Sequence, residues 1–254
     1  MSSWMHVNAS YRDTLARAGL VSFDDWMGAA RDAERDAGRR ETFTTFALDV
    51  AGGFRVYLKR FRPAGPSPRF VLRHSRQRRE AESAWMLAAL DVPTAEVVAA
   101  GERRCCTCVT AAFVATREIP GAVPMPEFVE TRPTRARRRA LVAALARIVR
   151  RMHDGGYVDH DLRFRNILVT TTDDGAGVHL IDSPRGGRPR CRVRWAKRRD
   201  LATLNEDART LASRTERLRF VLTYLGTDRL GRVGRRLCRR VENLTDRIVR
   251  RGRR

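Results

Sequence analysis

Between Tyr157 and Arg185 the chain places Asp161 and Asn166 just ahead of one apolar run, Ile167–Val169, and Asp182 just behind a second, Val178–Ile181. Asp173, Asp174 and Gly175 separate the runs with the composition of a turn. Short runs rich in Val and Ile, bounded by turn residues, predict two paired strands. Pairing them brings Asp161, Asn166 and Asp182 to one edge. An Asp and an Asn five residues apart occur in many surface turns, so the selective feature is their conjunction with the two strands and the second acid.

Upstream, Phe43, Phe46, Leu48 and Val50 precede Gly52-Gly53, and Phe54, Val56, Leu58 and Phe61 follow. This reads as a β-hairpin turning at the two glycines, with Lys59 near the end of its second strand. Residues 62–68 read as a loop, and 75–90 as a helix with Trp85, Leu87 and Leu90 near one face, ended by Asp91-Val92-Pro93. Glu80 and Glu82 lie about 200° apart on that helix, so only one can face Lys59, and register favours Glu80. Residues 94–118 read as two strands with a turn near Gly101 to Arg104; Ile119-Pro120-Gly121 then breaks the pattern. The stretch 133–153 is a helix with Leu141, Leu145, Ile148 and Met152 on one stripe. Residues 10–38 carry helical periodicity. The expected organisation is a helical extension over 1–40, a first lobe over 41–118, and a second over 119–254 ending in a basic helix that carries Leu230, Val233, Leu237, Val241, Leu244 and Ile248.

The chain has 254 residues, long enough to bury a core in one large domain or two small lobes without disulfides. Its formal net charge of +22 favours anionic partners, among them acidic membrane surfaces and phosphorylated glycolipids. Of its 51 basic residues only Lys59 and Lys197 are lysine, which singles out both. Five cysteines form no even framework, and a reduced compartment is expected. Cys105 and Cys108 make one CxxC; zinc would need a second pair that only the distant Cys191 and Cys238 offer, and apolar filling of a strand pair is the simpler expectation. The chain shows neither a leader pattern nor a long uncharged apolar stretch, so a cytoplasmic protein is expected. With 7% aromatics and no recognised DNA or RNA motif, nucleic acid is not an expected partner.

Phosphoryl transfer uses a carboxylate to take or orient the proton of an attacking hydroxyl, hard oxygen ligands for Mg²⁺, and a cation on the phosphates. Lys59, Glu80, Asp161-Leu162 with Asn166, and Ile181-Asp182 resemble the protein-kinase-like superfamily. More narrowly, Val56–Phe61, Arg79-Glu80, and His179–Asp182 with Arg185 resemble the bacterial lipopolysaccharide core kinases that act on heptose or 3-deoxy-octulosonate sugars. Arg199–Ala202, Arg217–Phe220 and Tyr224–Gly226 resemble that family's C-terminal helices, and the resemblance spans roughly residues 43–228. It implies an α+β, two-lobed protein-kinase-like fold and ATP and Mg²⁺ as cofactors. It further implies that Lys59 binds the α and β phosphates and Glu80 orients it, that Asp161 is the catalytic base, and that Asn166 and Asp182 hold Mg²⁺. Arg163 matches the position where many kinases keep a lysine facing the γ-phosphate, and Glu118-Ile119 the segment whose backbone meets adenine. The implied acceptor is an anionic sugar or glycolipid, met by a monomer at the inner face of an acidic membrane.

Several features depart from the superfamily pattern. No G-x-G-x-x-G loop precedes Lys59; Asp159 stands where protein kinases have His; Asp182 is followed by Ser183-Pro184 rather than Phe-Gly; and no Ala-Pro-Glu follows. These speak against a protein kinase regulated by an activation loop. The alternative reading is a pseudokinase or a non-catalytic basic module binding nucleic acid or acidic membrane. His153, His160, Cys191 and Lys197 read as structural or surface residues.

Overall fold

The computed structural model describes residues 2–29, 41–50, 53–63, 70–172 and 175–252. It divides into two compact units, Met1–Trp85 with Ala95–Ile119, and Met86–Thr94 with Pro120–Arg254.

The first unit is built on a five-stranded sheet. In chain order its elements are β1 (Ser2–Val7), α1 (Arg12–Arg17), α2 (Phe23–Gly28), β2 (Glu41–Val50), β3 (Phe54–Pro63), α3 (Arg76–Ala88), β4 (Val97–Cys105) and β5 (Cys108–Arg117), and the strand order is β1-β4-β5-β3-β2. Alternation in β3 buries Val56 and Leu58 on one face, while Phe61, on the other, is buried with Phe70, Val109 and Ala112. Lys59 stands between Thr45 of β2 and Val114 of β5. Gly53 closes the β2–β3 turn at φ +86, which favours glycine, while Gly52 lies outside the described residues. Ser22 and Asp25 form a capping box that starts α2, and Trp26 of that helix stacks on Phe113 of β5 at 5.4 Å.

Two expectations are corrected here. Ser2–Val7 is not part of a helical extension but a strand paired with β4, and the helices behind it, Leu15, Phe23 and Trp26 included, are buried with Leu58 and Phe113 in the sheet's own core. Residues 30–38 of that expectation lie outside the described residues. The β4–β5 turn falls at Cys106-Thr107, not at Gly101–Arg104. Gly101 is a mid-strand residue, and a β-carbon there would lie 2.5 Å from a Phe113 ring atom and 2.8 Å from one of Phe23. The glycine admits two rings rather than turning the chain.

The second unit carries a three-stranded sheet against helices. Its elements are β6 (Val123–Pro124), α4 (Met125–Glu130), α5 (Arg135–Asp154), β7 (Ile167–Thr172), β8 (Gly175–Leu180), α6 (Val193–Leu211), α7 (Arg214–Leu225) and α8 (Arg232–Gly252), with strand order β6-β7-β8. The predicted strand pair is β7–β8, in register from Ile167 opposite Leu180; Asp173 and Asp174 lie outside the described residues. Leu141, Leu145 and Met152 of α5 are buried together with Ile167, Val169, Val178 and Leu180. Met86–Thr94 belongs to this unit and not to the first, because Leu87 and Val92 enter the same core and the Leu180 N–H donates to Pro93 O at 2.9 Å. In α8, Leu237 and Val241 pack on the core, whereas Val233 is 80% exposed. No described helix is long and apolar enough to cross a membrane.

Candidate active site

In the first unit the Lys59 ammonium lies 2.6 Å from Glu80 Oε1, with the glutamate nearly buried and the lysine about a quarter exposed. The choice between Glu80 and Glu82 is thereby made: Glu82 sits on the other side of α3 with Arg78 at 3.1 Å and His74 at 2.9 Å. Glu118 follows β5; its N–H donates to Arg55 O at 2.8 Å and its carboxylate accepts from Tyr57 at 3.4 Å, and Ile119 ends the unit.

In the second unit Asp161 sits on an irregular segment between α5 and β7, held by its neighbours. The Asn166 amide nitrogen donates to Asp161 O at 3.0 Å, and the Ile181 N–H to Asn166 O at 3.0 Å. Those two bonds put Asp161, Asn166 and the residue before Asp182 in one continuous network. Asp182 itself takes φ +55, a conformation uncommon for a residue with a side chain. The Asp161 carboxylate is about a third exposed, with Arg163 Nε at 3.4 Å and an Arg165 nitrogen at 3.3 Å. Arg163 also meets Glu206 at 2.9 Å and Asp207 at 3.4 Å on α6, so its guanidinium is held by three carboxylates.

Behind this segment lies a layer that sequence reasoning did not assign to the site. Asp200 of α6 is fully buried and accepts the N–H groups of Asp159 at 2.7 Å and His160 at 2.8 Å. His153 lies 3.3 Å from Asp200 and 2.9 Å from the Tyr224 hydroxyl. Asp159, also buried, accepts the Asp161 N–H at 2.9 Å on one oxygen and the Ser183 hydroxyl on the other. One carboxyl thus ties the backbone of Asp161 to the residue after Asp182. Burial pushes the Asp159 carboxyl up to about 7, with the charges of Asp200 and Asp161 adding to the effect and its hydrogen bonds opposing it. The sequence signal for this layer was the departure of Asp159 and Ser183 from the kinase pattern, and the acid in Arg199–Ala202.

The lipopolysaccharide kinase (Kdo/WaaP) family is matched over residues 26–224. The chain belongs to that family. Among curated proteins none matches. Of solved structures, WaaP in complex with acyl carrier protein is similar at a TM-score of 0.70 and 21% identity, with 98% of each chain covered. Two double mutants of the Mycobacterium tuberculosis PknI kinase domain are 18% identical, with TM-scores of 0.44 over 66% of each chain and 0.40 over 66% of this chain and 74% of that one. The chain therefore has the α+β fold of WaaP and is an ATP-dependent kinase, a transferase.

The residues fit a hard divalent cation. The Asn166 amide nitrogen donates to Asp161 O, so its amide oxygen faces away from that bond, and Asp182, two residues after β8, carries a carboxylate; both are the oxygen donor types such a cation takes. Cys105 and Cys106 are exposed and Cys108 half-buried, so they do not fill an apolar strand pair.

Proposed function

We propose that this lipopolysaccharide kinase transfers the γ-phosphate of ATP to a hydroxyl of an anionic core sugar or glycolipid. Asp161 accepts the hydroxyl proton, and its carboxylate is oriented by Arg163 and Arg165. Lys59, held by Glu80, binds the α and β phosphates, and Glu118-Ile119 offers backbone to adenine. Asn166 and Asp182 would hold Mg²⁺, which would neutralise charge on the phosphate oxygens. Arg163, engaged by Glu206 and Asp207, sets the position of Asp161. The observation that supports the reading is the hydrogen-bonded network from Asp161 through Asn166 to Ile181, the residue before Asp182. Transfer of radiolabel from ATP to a panel of 3-deoxy-octulosonate- and heptose-bearing glycolipids tests it. Label on a glycolipid hydroxyl that disappears in Asp161→Asn is expected; Mg-ATP binding with no transfer to any acceptor would favour a pseudokinase.

We also place the protein at an acidic membrane surface by proposal. The exposed face of α8 carries Arg232, Arg235, Arg236, Arg239, Arg240, Arg247, Arg250 and Arg251, while its acids Glu242 and Asp246 are taken by Arg209 and Arg217. Arg236 and Arg198 crowd Arg240 and hold its pKa below the ordinary arginine value. Such a face suits anionic headgroups. Because the related WaaP is in complex with acyl carrier protein, adding that protein to the vesicle assay described below tests whether it competes for this face.

A further inference from the structure

Cysteine is among the residues most often buried. In this chain three of five cysteines lie within Cys105–Cys108, two of them exposed and the third half-buried, at the tip of the β4–β5 hairpin. Cys105 ends β4 and Cys108 begins β5, directly opposite each other in the ladder, with Cys106-Thr107 as the two-residue turn. Cys106 holds φ +53, a conformation that glycine or asparagine usually supplies. The turn is pinned from both sides: Thr107 O accepts from Leu72 N at 3.3 Å and from Arg104 at 2.9 Å, and Arg104 is itself held by Glu102 at 2.7 Å.

We propose that Cys105 and Cys108 form a reversible dithiol–disulfide site that takes low-molecular-weight disulfides as its oxidant. Residues directly opposite in an antiparallel pair have α-carbons about 4.5–5.5 Å apart and β-carbons about the same. A disulfide accepts α-carbons at about 4.4–6.8 Å but needs β-carbons near about 3.8 Å. The bond therefore forms once the tip draws in by about an ångström, and the residual strain keeps it easily reduced. Cys106 is the wrong partner, since consecutive side chains at a strand end point to opposite faces.

The exchange balances in two steps. The Cys105 thiolate attacks one sulfur of the small disulfide, forming a mixed disulfide and releasing one small thiolate. The Cys108 thiolate then attacks the Cys105 sulfur, closing the Cys105–Cys108 bond and releasing the second. Two electrons pass from the protein thiols to the reagent, and two protons are lost to solvent or to the released thiolates.

Trypsin places all three thiols on the single peptide Cys105–Arg117. The reduced full-length chain is incubated with oxidised glutathione, its remaining thiols are alkylated, and the peptide is fragmented in a mass spectrometer. The expected product has lost two hydrogens, carries one alkyl group on Cys106, and returns to three alkylated thiols after mild reduction. Cys106→Ser should keep the bridge, and Cys105→Ser and Cys108→Ser should lose it. Three alkylated thiols in the oxidised wild type, a stable glutathione adduct, a bridge surviving in Cys108→Ser, or a linkage to Cys191 or Cys238 would each overturn the assignment, and wild-type fragmentation decides it even if a serine variant is unstable.

Discussion

Lys59 is one of two lysines in a chain that otherwise uses arginine, and its ammonium rests 2.6 Å from a nearly buried carboxylate. A planar, forked guanidinium cannot occupy that compact position and also reach phosphate oxygens. Lys59→Arg should lower turnover at least about 100-fold, roughly 2.7 kcal/mol of barrier, while Lys197→Arg leaves it unchanged; equal steady-state rates for both would withdraw the role given to Lys59. Asp159 gives a second residue-level prediction. Its folded pKa of about 7 lies above the ordinary carboxylate range, so the folded state holds the proton more tightly. The stability it contributes is complete below about pH 4 and is lost as pH rises to about 7. Urea titrations from pH 5 to 8 should show wild-type stability falling and Asp159→Asn largely flat over that range. Sequence alone marked Asp159 as a departure, but its role needed Asp200 and Ser183, each far from it in sequence, to be seen around it.

At the scale of elements, α7 is started by a capping box in which Glu216 also receives Arg138 of α5 at 2.6 and 3.0 Å. The Arg138 bonds, with those of Ser213, hold Glu216 down at about 2 against a cost of burial. A depressed carboxylate contributes stability above its unfolded pKa and loses it as pH falls from about 4.5 toward 2. Glu216→Gln should therefore cost about 1–3 kcal/mol at pH 7 and distinctly less at pH 3, read from denaturant midpoints. Gly101 supplies the counterpart in the first unit. A methyl there would meet the Phe113 and Phe23 rings at 2.5 and 2.8 Å, so Gly101→Ala should lower stability by about 1–3 kcal/mol in a thermal melt, and no change would mean that the rings yield freely. A turn-forming residue type misplaced this turn in the sequence reading because its reason for being glycine lies in two distant aromatic residues.

Over the whole molecule, a net charge of +22 is concentrated where acids do not answer it, most visibly on α8. Binding to vesicles of acidic lipid should rise with the acidic fraction and fall with added salt, because screening sets in beyond about 10 Å at 0.1 M. Replacing Arg236, Arg239 and Arg240 by Gln should remove most of that binding while leaving the core contacts of Leu237 and Val241 in place. Equal sedimentation with neutral vesicles at every salt concentration would refute a headgroup-binding face.

Local pattern alone determined the elements whose period and caps are short-range: the β2–β3 and β7–β8 pairs, α3, α5 and α8, and with them the order of Lys59, Glu80, Asp161, Asn166 and Asp182 along the chain. Periodicity records which face of an element is apolar but not what covers it. Only tertiary structure made Ser2–Val7 a sheet strand, since an edge strand is defined by its partner β4, and only tertiary structure assigned Met86–Thr94 to the second core. The same holds for the layer of Asp159, Asp200 and Ser183, because a buried carboxylate is tolerated only where donors distant in sequence converge on it.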